Sequence, residues 1–290
     1  MNLTLLIQAL IGGFLVGGVY SLIAIGLSLI FGVMKIINFA HGEIMMIAMY
    51  ITYWLFVLLK IDPIISIIIV APLIFLLGYC MQRFLVNRII DAPELIQILL
   101  MLGVAIVLTN LALFIWGPDH RMAATRFSLS AIMLGGITID VSRLIAFGIA
   151  IIVSIGVFLF LAKTETGKMI RAAADNRLGA QIVGIKVNRV YAISFGVGSA
   201  CVGIAGALIL PLIPLDPYLG PSYTLTSFII VILGGMGSLL GAFIGGIIIG
   251  VAESLGAVLL VSSLKELVSF SILIVILLFR PQGLFGTRNE

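Results

Sequence analysis

The sequence predicts an all-α protein: a polytopic transmembrane helical bundle of eight or nine segments, two of them broken by glycine. Four observations predict it. Runs of roughly 20 apolar residues recur along the chain, each long enough to cross a bilayer as a helix. Composition agrees, with 62% hydrophobic and only 10% charged residues and a mean hydropathy of +1.32. The short alternating strands of a membrane barrel are missing. Finally, one long polar interval, Lys163 to Arg189, breaks the pattern. It carries six basic residues (Lys163, Lys168, Arg171, Arg177, Lys186, Arg189) against two acidic ones (Glu165, Asp175). Such an interval cannot sit in hydrocarbon and must project from one membrane face. One transmembrane domain, 1–290, is expected, with 163–189 as a loop within it.

The first segment, about Leu3 to Met34, is longer than one crossing needs. Its Gly12, Gly13, Gly17 and Gly18, followed by Ser21 and Gly26, would let neighbouring backbones approach closely. The pattern breaks at MKIINFAHGE and resumes from about Ile44 to Leu59. Tyr50, Tyr53 and Trp54 at its far end read as an interfacial aromatic belt. Pro63 opens a third helix, to about Val86, with Pro72 inside it. Asp91-Ala-Pro-Glu94 reads as an acidic cap starting a fourth helix to Trp116. A loop of about 25 residues follows, carrying Asp119, His120, Arg121, Arg126, Asp140 and Arg143. A fifth helix (about Leu144 to Ala162) delivers the chain to the basic interval. A sixth (about Val190 to Leu210) leads into the proline-rich PLIPLDPYLGPSY, expected as an extended cap. From Thr224 onward the reading is a short seventh segment, a turn at Gly234 to Ser238, an eighth helix from Leu239 and a last one ending at Arg280-Pro281. Whether the seventh segment crosses or re-enters is open.

With the amino terminus outside, the inner ends hold Lys35, Arg83, Arg88, the six basic residues of the interval, Arg280 and Arg288. The outer ends hold Lys60, Arg121, Arg126, Arg143 and Lys265. This asymmetry places the interval and the carboxyl terminus in the cytoplasm, and it accounts for the net charge of +4 without a nucleic-acid partner. Cys80 and Cys201 lie in apolar runs and read as buried free thiols. The first basic residue is Lys35, so no charged leader region precedes the first helix and no cleavable signal is expected.

Enzymes, pumps and ion-coupled carriers each leave residues that are missing here. Two histidines, two distant cysteines and no catalytically spaced carboxylates make neither a nucleophilic site nor a metal site. Gly167-Lys168 lacks the rest of a phosphate-binding loop. No buried lattice of charges suits ion coupling. A conduit without an engine points to a driving partner.

Two glycine-interrupted stretches, Ile37 to Glu43 and Leu233 to Gly246, are the candidate conduit, because unwound backbone can present amides to a cargo. The alternative is helix packing, which fits the pairs Gly241/Gly245 and Gly246/Gly250. Asn38, His41, Gly234, Gly235, Gly237 and Ser238 are assigned to the substrate path. Glu43 joins them, with capping of the adjacent helix as its other reading. Glu253, deep in an apolar helix, should face the bundle or water, pairing with Lys265 in one reading or reaching the outer interface in the other. The basic interval, alanine-rich from Gly167 to about Val183 with Gly184 as a helix stop, is by composition a solvated loop; a surface helix docking into a partner's groove is the alternative.

The ordered set Gly26…Asn38-Phe39-Ala40-His41-Gly42, Thr166-Gly167…Arg171-Ala172…Ala180…Gly184-Ile185 and Gly234-Gly235-Met236-Gly237-Ser238…Gly241-Ala242…Gly245 resembles the permease subunits of bacterial branched-chain amino acid ABC importers, most closely the shorter of the two permeases. The resemblance spans almost the whole chain. It implies a non-catalytic inner-membrane permease that translocates branched-chain (hydrophobic) amino acids. It implies that Gly167, Arg171, Ala172, Ala173, Ala174, Asp175, Ala180 and Gly184 form the coupling element that docks on the ATPase. Here Ala-Ala-Ala-Asp stands where the wider importer motif has Glu-Ala-Ala. Implied partners are a second homologous permease, two ATP-binding cassette ATPase subunits, a periplasmic amino-acid-binding protein and membrane lipid. No cofactor or metal belongs to this chain, and ATP-Mg is held by the partners. The binding protein would dock near Pro211 to Tyr223 and the Trp116 to Arg143 loop. Permeases for urea, short amides or sugars, and a self-sufficient secondary transporter, are the competing readings.

Overall fold

The computed structural model describes residues 3–125, 128, 130–134, 136–260 and 265–286. Arg126 and Arg288 of the charge argument lie outside them. In chain order the helices are α1 (Leu3–Met34), α2 (His41–Leu59), α3 (Pro63–Phe84), α4 (Glu94–Trp116), α5 (Val141–Lys163), α6 (Glu165–Asp175), α7 (Arg177–Ile182), α8 (Val187–Ile209), α9 (Leu219–Gly234), α10 (Leu239–Leu259) and α11 (Lys265–Phe279). Among the described residues seven of these are long and apolar enough to cross a membrane, and α9 and α11 are shorter apolar helices. The chain is a multi-pass helical membrane protein.

Glycine decides how the bundle closes. α10 runs antiparallel to α1 so tightly that a Cβ at Gly13, Gly17, Gly246 or Gly250 would lie under 3.0 Å from backbone of the facing helix. Hydroxyls stitch the same seam: Ser21 Oγ donates to Phe243 O (2.6 Å) and Ser254 Oγ to Ala9 O (2.7 Å). On the opposite side of α1, Gly26 meets Gly198 of α8 in the same way. Small residues allow this because, without a hydrophobic drive between helices in lipid, close dispersion contact is what holds them together. The apolar window of α1 is consequently 83% buried, and so is that of α8, whereas α4 is only 17% buried. α1 is the axis and α4 hangs at the edge.

Several helix starts follow local chemistry. Asp62 caps α3 by accepting from Ile64 N (2.9 Å), with Pro63 in the first turn. Ser238 accepts from Gly241 N (3.1 Å) at the start of α10. Gly184 stops α7 at φ +86°.

Elsewhere the structure differs from the sequence expectation. The loop after α4 contains an antiparallel hairpin, β1 (Ala131–Leu134) and β2 (Ile137–Asp140), with Ala131 opposite Asp140, packed beside α1. The extended cap ends at Tyr218, because α9 already starts at Leu219 and takes Pro221 into its first turn, where a missing N–H costs nothing. Asp91 does not cap α4. Pro93 holds that position, and the Asp91 carboxylate turns to Arg177 instead. The expected aromatic belt is partly folded inward: Tyr50 is buried and stacks on Trp116 (centroids 4.2 Å apart), while the Arg121 guanidinium lies 5.5 Å and 5.4 Å from the rings of Tyr53 and Trp54. Arg121 and Leu215 exchange backbone hydrogen bonds, which ties the α4–β1 loop to the proline-rich segment.

Candidate functional site

After Met34 the chain turns back on itself. His41 Nε2 bonds Ile23 O at 3.0 Å, eleven residues before the end of α1, or about 16 Å along the axis at a 1.5 Å rise. Residues 35–40 therefore climb back into the bundle, and α2 begins in the interior. Asn38 Oδ1 accepts from Ala40 N (3.1 Å) and shapes the turn. Asn38 Nδ2 and His41 Nδ1 are buried with no hydrogen-bond partner among the described residues. α9 meets α2 at this level. A Cβ on Gly42 would collide with the carbonyl of Gly220, so only glycine permits the approach. Thr224 Oγ1 accepts from Gly42 N (2.9 Å) and lies 3.1 Å from Glu43 Oε2, to which it donates. Asn38, His41 and Glu43 thus all lie buried at the start of α2, with His41 bonded to α1 and Glu43 to α9. The partner that holds Glu43, Thr224, has no signal in the sequence, since nothing in SYTLTS distinguishes it from a packing hydroxyl.

The other predicted group does not reach that point. Gly234, Gly235, Gly237 and Ser238 form the turn between α9 and α10, at the Met34 end of α1, where Gly237 packs on Gly32. Gly235 and Gly237 have φ of +99° and +87°. The backbone of this turn is already engaged, since Leu284 N donates to Leu233 O (2.8 Å) and Phe285 N to Gly234 O (3.0 Å). The two glycine-broken stretches therefore do not form one lining. One lies in the interior and the other at an end of the bundle.

At that same end stand α6 and α7. The sequence suggests one helix, but Asn176 divides it and caps α7 by accepting from Gly179 N (2.8 Å), just as Thr164 caps α6 through Gly167 N (3.0 Å). Gly167, Ala173 and Ala180 are buried against the protein's own helices, Ala174 is half-buried, and Arg171, Ala172, Asp175 and Gly184 are exposed. A crevice of about 660 Å³ lined by Arg171, Ala172, Ala174, Asp175 and Gly237 joins this element to the α9–α10 turn. Sequence reasoning missed three outward apolar side chains in the polar interval: Leu178 (71% exposed), Ile182 (85%) and Val183 (74%). Their i, i+4, i+5 spacing was the available sign. Arg177 makes a two-pronged ion pair with Asp91, and this guanidinium holds the Asp91 carboxyl below its ordinary range.

Glu253 sits in a separate place. It accepts from Tyr20 Oη (3.0 Å) and Ser269 Oγ (2.8 Å), joining α10 to α1 and α11. The side chain of Lys265, its expected partner, lies outside the described residues.

Comparison with known proteins agrees with this architecture. The family described as branched-chain amino acid transport system / permease component matches residues 9–277. The high-affinity branched-chain amino acid transport system permease protein BraD of Pseudomonas aeruginosa is 30% identical over 97% of this chain and 95% of its own. The protein LivH of Escherichia coli, of the same description, is 28% identical over the same shares. The ribose import permease protein RbsC of Bacillus subtilis is 34% identical over 43% of this chain and 42% of its own. No solved structure matches. By the extent of that family match, the chain belongs to the permease components of branched-chain amino acid transport systems.

Proposed function

We propose that this chain is the membrane-spanning, non-catalytic subunit of an ATP-binding cassette importer and that its cargo is a branched-chain amino acid. The observation that carries the reading is the α6–α7 element, a capped, water-facing helix pair with three exposed apolar side chains. Exposed apolar residues on a polar projection are what a protein partner covers. In this reading Arg171, Ala172, Asp175, Gly184, Leu178, Ile182 and Val183 meet the ATPase. Gly167, Ala173 and Ala180 support them from behind by letting α6 and α7 lie close on the bundle. The amino terminus faces outside and the carboxyl terminus the cytoplasm, which puts α6–α7 where ATP is. The importer has a second homologous permease, two ATPase subunits that hold ATP-Mg, and a periplasmic binding protein docked over the Arg121–Leu215 region. ATP-dependent contacts that differ between two states of the bundle would shift their populations and move the cargo inward. The partial likeness to a ribose permease keeps sugars as the second reading.

The test is purification of the chain with its partners and measurement of uptake in proteoliposomes. Uptake of leucine, isoleucine or valine should require ATP and the ATPase subunits. Ile182→Asp should leave the chain inserted in the membrane, release the ATPase from it, and abolish ATP-dependent uptake. Uptake by this chain alone, without ATPase, would overturn the reading.

A further inference from the structure

Between α2, α4 and α9 lies a crevice of about 400 Å³. We propose that it is a cargo site, in which the Glu43 carboxylate takes the ammonium group of an amino acid and Leu102, Ala105, Ile106 and Leu225 hold its aliphatic side chain. The proposal rests on the importer reading above and names where this chain would meet the cargo.

Three observations converge on it. The polar end is built and desolvated: Glu43 and Thr224 are only 3% and 4% exposed, yet both line the crevice, and they are held to each other by the Thr224 hydroxyl. An apolar pocket with a few convergent polar groups is the usual form of a small-molecule site, and this one is of the usual size. The position of Glu43 is set by backbone, because the Gly42–Gly220 contact and the hydrogen bond from Gly42 N to Thr224 lock the first turns of α2 and α9 together. The facing wall belongs to α4. Its residues Leu102, Ala105, Ile106, Thr109 and Asn110 recur at helical spacing on one side. Thr109 and Asn110 are polar residues in the apolar stretch of α4 that follows Gln97, and on a lipid-facing surface they would be costly. Asn110 Nδ2 donates to Ile106 O (2.8 Å), which leaves its second amide hydrogen and Oδ1 for a ligand. A zwitterion placed here has its ammonium group at Glu43, its carboxylate toward Thr109 and Asn110, and its branched tail among the aliphatic side chains.

α4 is the least buried spanning helix, and its first turn is tied to the preceding turn by Gln97 Nε2, which donates to Ile90 O (3.2 Å) and Ala92 O (3.0 Å). Asp91 in that turn is ion-paired to Arg177 of α7. This pair joins α7 to the turn in front of α4, the helix that forms the facing wall.

The test uses the complete importer with Cys80 and Cys201 replaced by serine and a single cysteine at Asn110. Leucine should slow its modification by a membrane-permeant maleimide, and glycerol should not. In a second arm, Glu43→Gln should lower leucine uptake about tenfold or more while the ATPase still copurifies, the loss expected when a charge-assisted contact is removed. Ala105→Phe should block the crevice and lower uptake likewise. Absence of protection by leucine, or protection by ribose in its place, overturns the site, as does wild-type uptake by both variants. If the wild-type complex shows no ATP-dependent uptake, the importer reading fails; the protection assay, which needs no transport, still decides the site.

Discussion

Glu43 and Glu253 are both carboxylic acids buried among apolar helices, and the bundle treats them differently. Glu253 sits in the closely packed seam of α1 and α10, where Tyr20 and Ser269 hand it hydroxyl hydrogens from two other helices. Glu43 sits where α2 begins in the interior, held by Thr224 on one side and open to the α4 crevice on the other. The first arrangement satisfies an acid by tying three helices together. Both acids border a space, but of different size and wall: Glu253 lines a crevice of about 180 Å³ among α1 and α10 residues and Arg143, and Glu43 one of about 400 Å³ walled by α4. Burial alone, which the two share, does not separate a structural group from a binding one. The surroundings do: glycine-packed backbone of α1 and α10 around Glu253, and the least buried spanning helix, α4, opposite Glu43.

The largest expected effect attacks that difference in packing. Gly250→Leu puts a side chain into the backbone of α1 at Gly13 and Gly17. Neither helix can yield without opening the seam, so a cost of more than about 3 kcal/mol and little or no monodisperse protein in detergent are expected. Gly103→Leu, on α4 where nothing lies within 4 Å of the added Cβ, should cost nothing and gain about 0.5–1 kcal/mol from the better helix former. Equal yields would remove the claim that the two regions differ in packing. Next comes Glu253→Ala, which strips the acceptor from Tyr20 and Ser269 and should cost about 3 kcal/mol, read as a lowered thermal midpoint. Uptake per folded molecule should stay near wild type, in contrast to Glu43→Gln. A transport loss as deep as that of Glu43→Gln would place Glu253 on the path and erase the distinction.

Thr224→Val should be milder, about 1–2 kcal/mol, because it removes the acceptor for Gly42 N–H and the donor to Glu43 at once. Unlike Glu253→Ala it should also lower uptake per folded molecule. The smallest effect belongs to the exposed Asp91–Arg177 pair. Asp91→Asn should reduce uptake by less than about fivefold, since solvent screens the interaction. Its pH dependence has a definite sign. The Asp91 carboxyl is held below its ordinary value of 3.8, so the contribution of the pair is present above that value and is lost as pH falls through the lower folded one. The difference between wild type and Asp91→Asn should be flat between about pH 5 and 8. A difference that changes across that range would show that another group titrates with the link.

Much of this architecture was readable from residues alone, and the reason is the solvent. Hydrocarbon forces every crossing segment to satisfy its own backbone, so long apolar runs are helices. The bounds of α1, the start of α3 at Asp62–Pro63 and the stop at Gly184 follow from local chemistry. The glycines of α1 and α10 announced close packing, although not with which partner. The hairpin at 131–140 left a weaker sign, two short apolar strands around Gly135-Gly136, and it was overshadowed by the polar residues on either side.

The site was less legible. Glu43, Asn38 and His41 stood out as polar residues in a broken helix, and the tertiary structure buries all three at the start of α2, with His41 bonded to α1 and Glu43 to α9. It also separates them from Gly234 to Ser238, which shared the same glycine signature but lies at the end of the bundle. Local sequence cannot tell a glycine that unwinds a helix in the interior from one that turns the chain at its edge, because both need the same backbone freedom. The membrane class, the helices and the polar projection were determined by the sequence itself, through composition and periodicity that act within each segment. Which polar groups meet was decided only by the folded chain. Thr224 against Glu43, Asp91 against Arg177 and Tyr20 against Glu253 are contacts across distant segments, and their geometry exists only once the glycine seams have set how closely the helices approach.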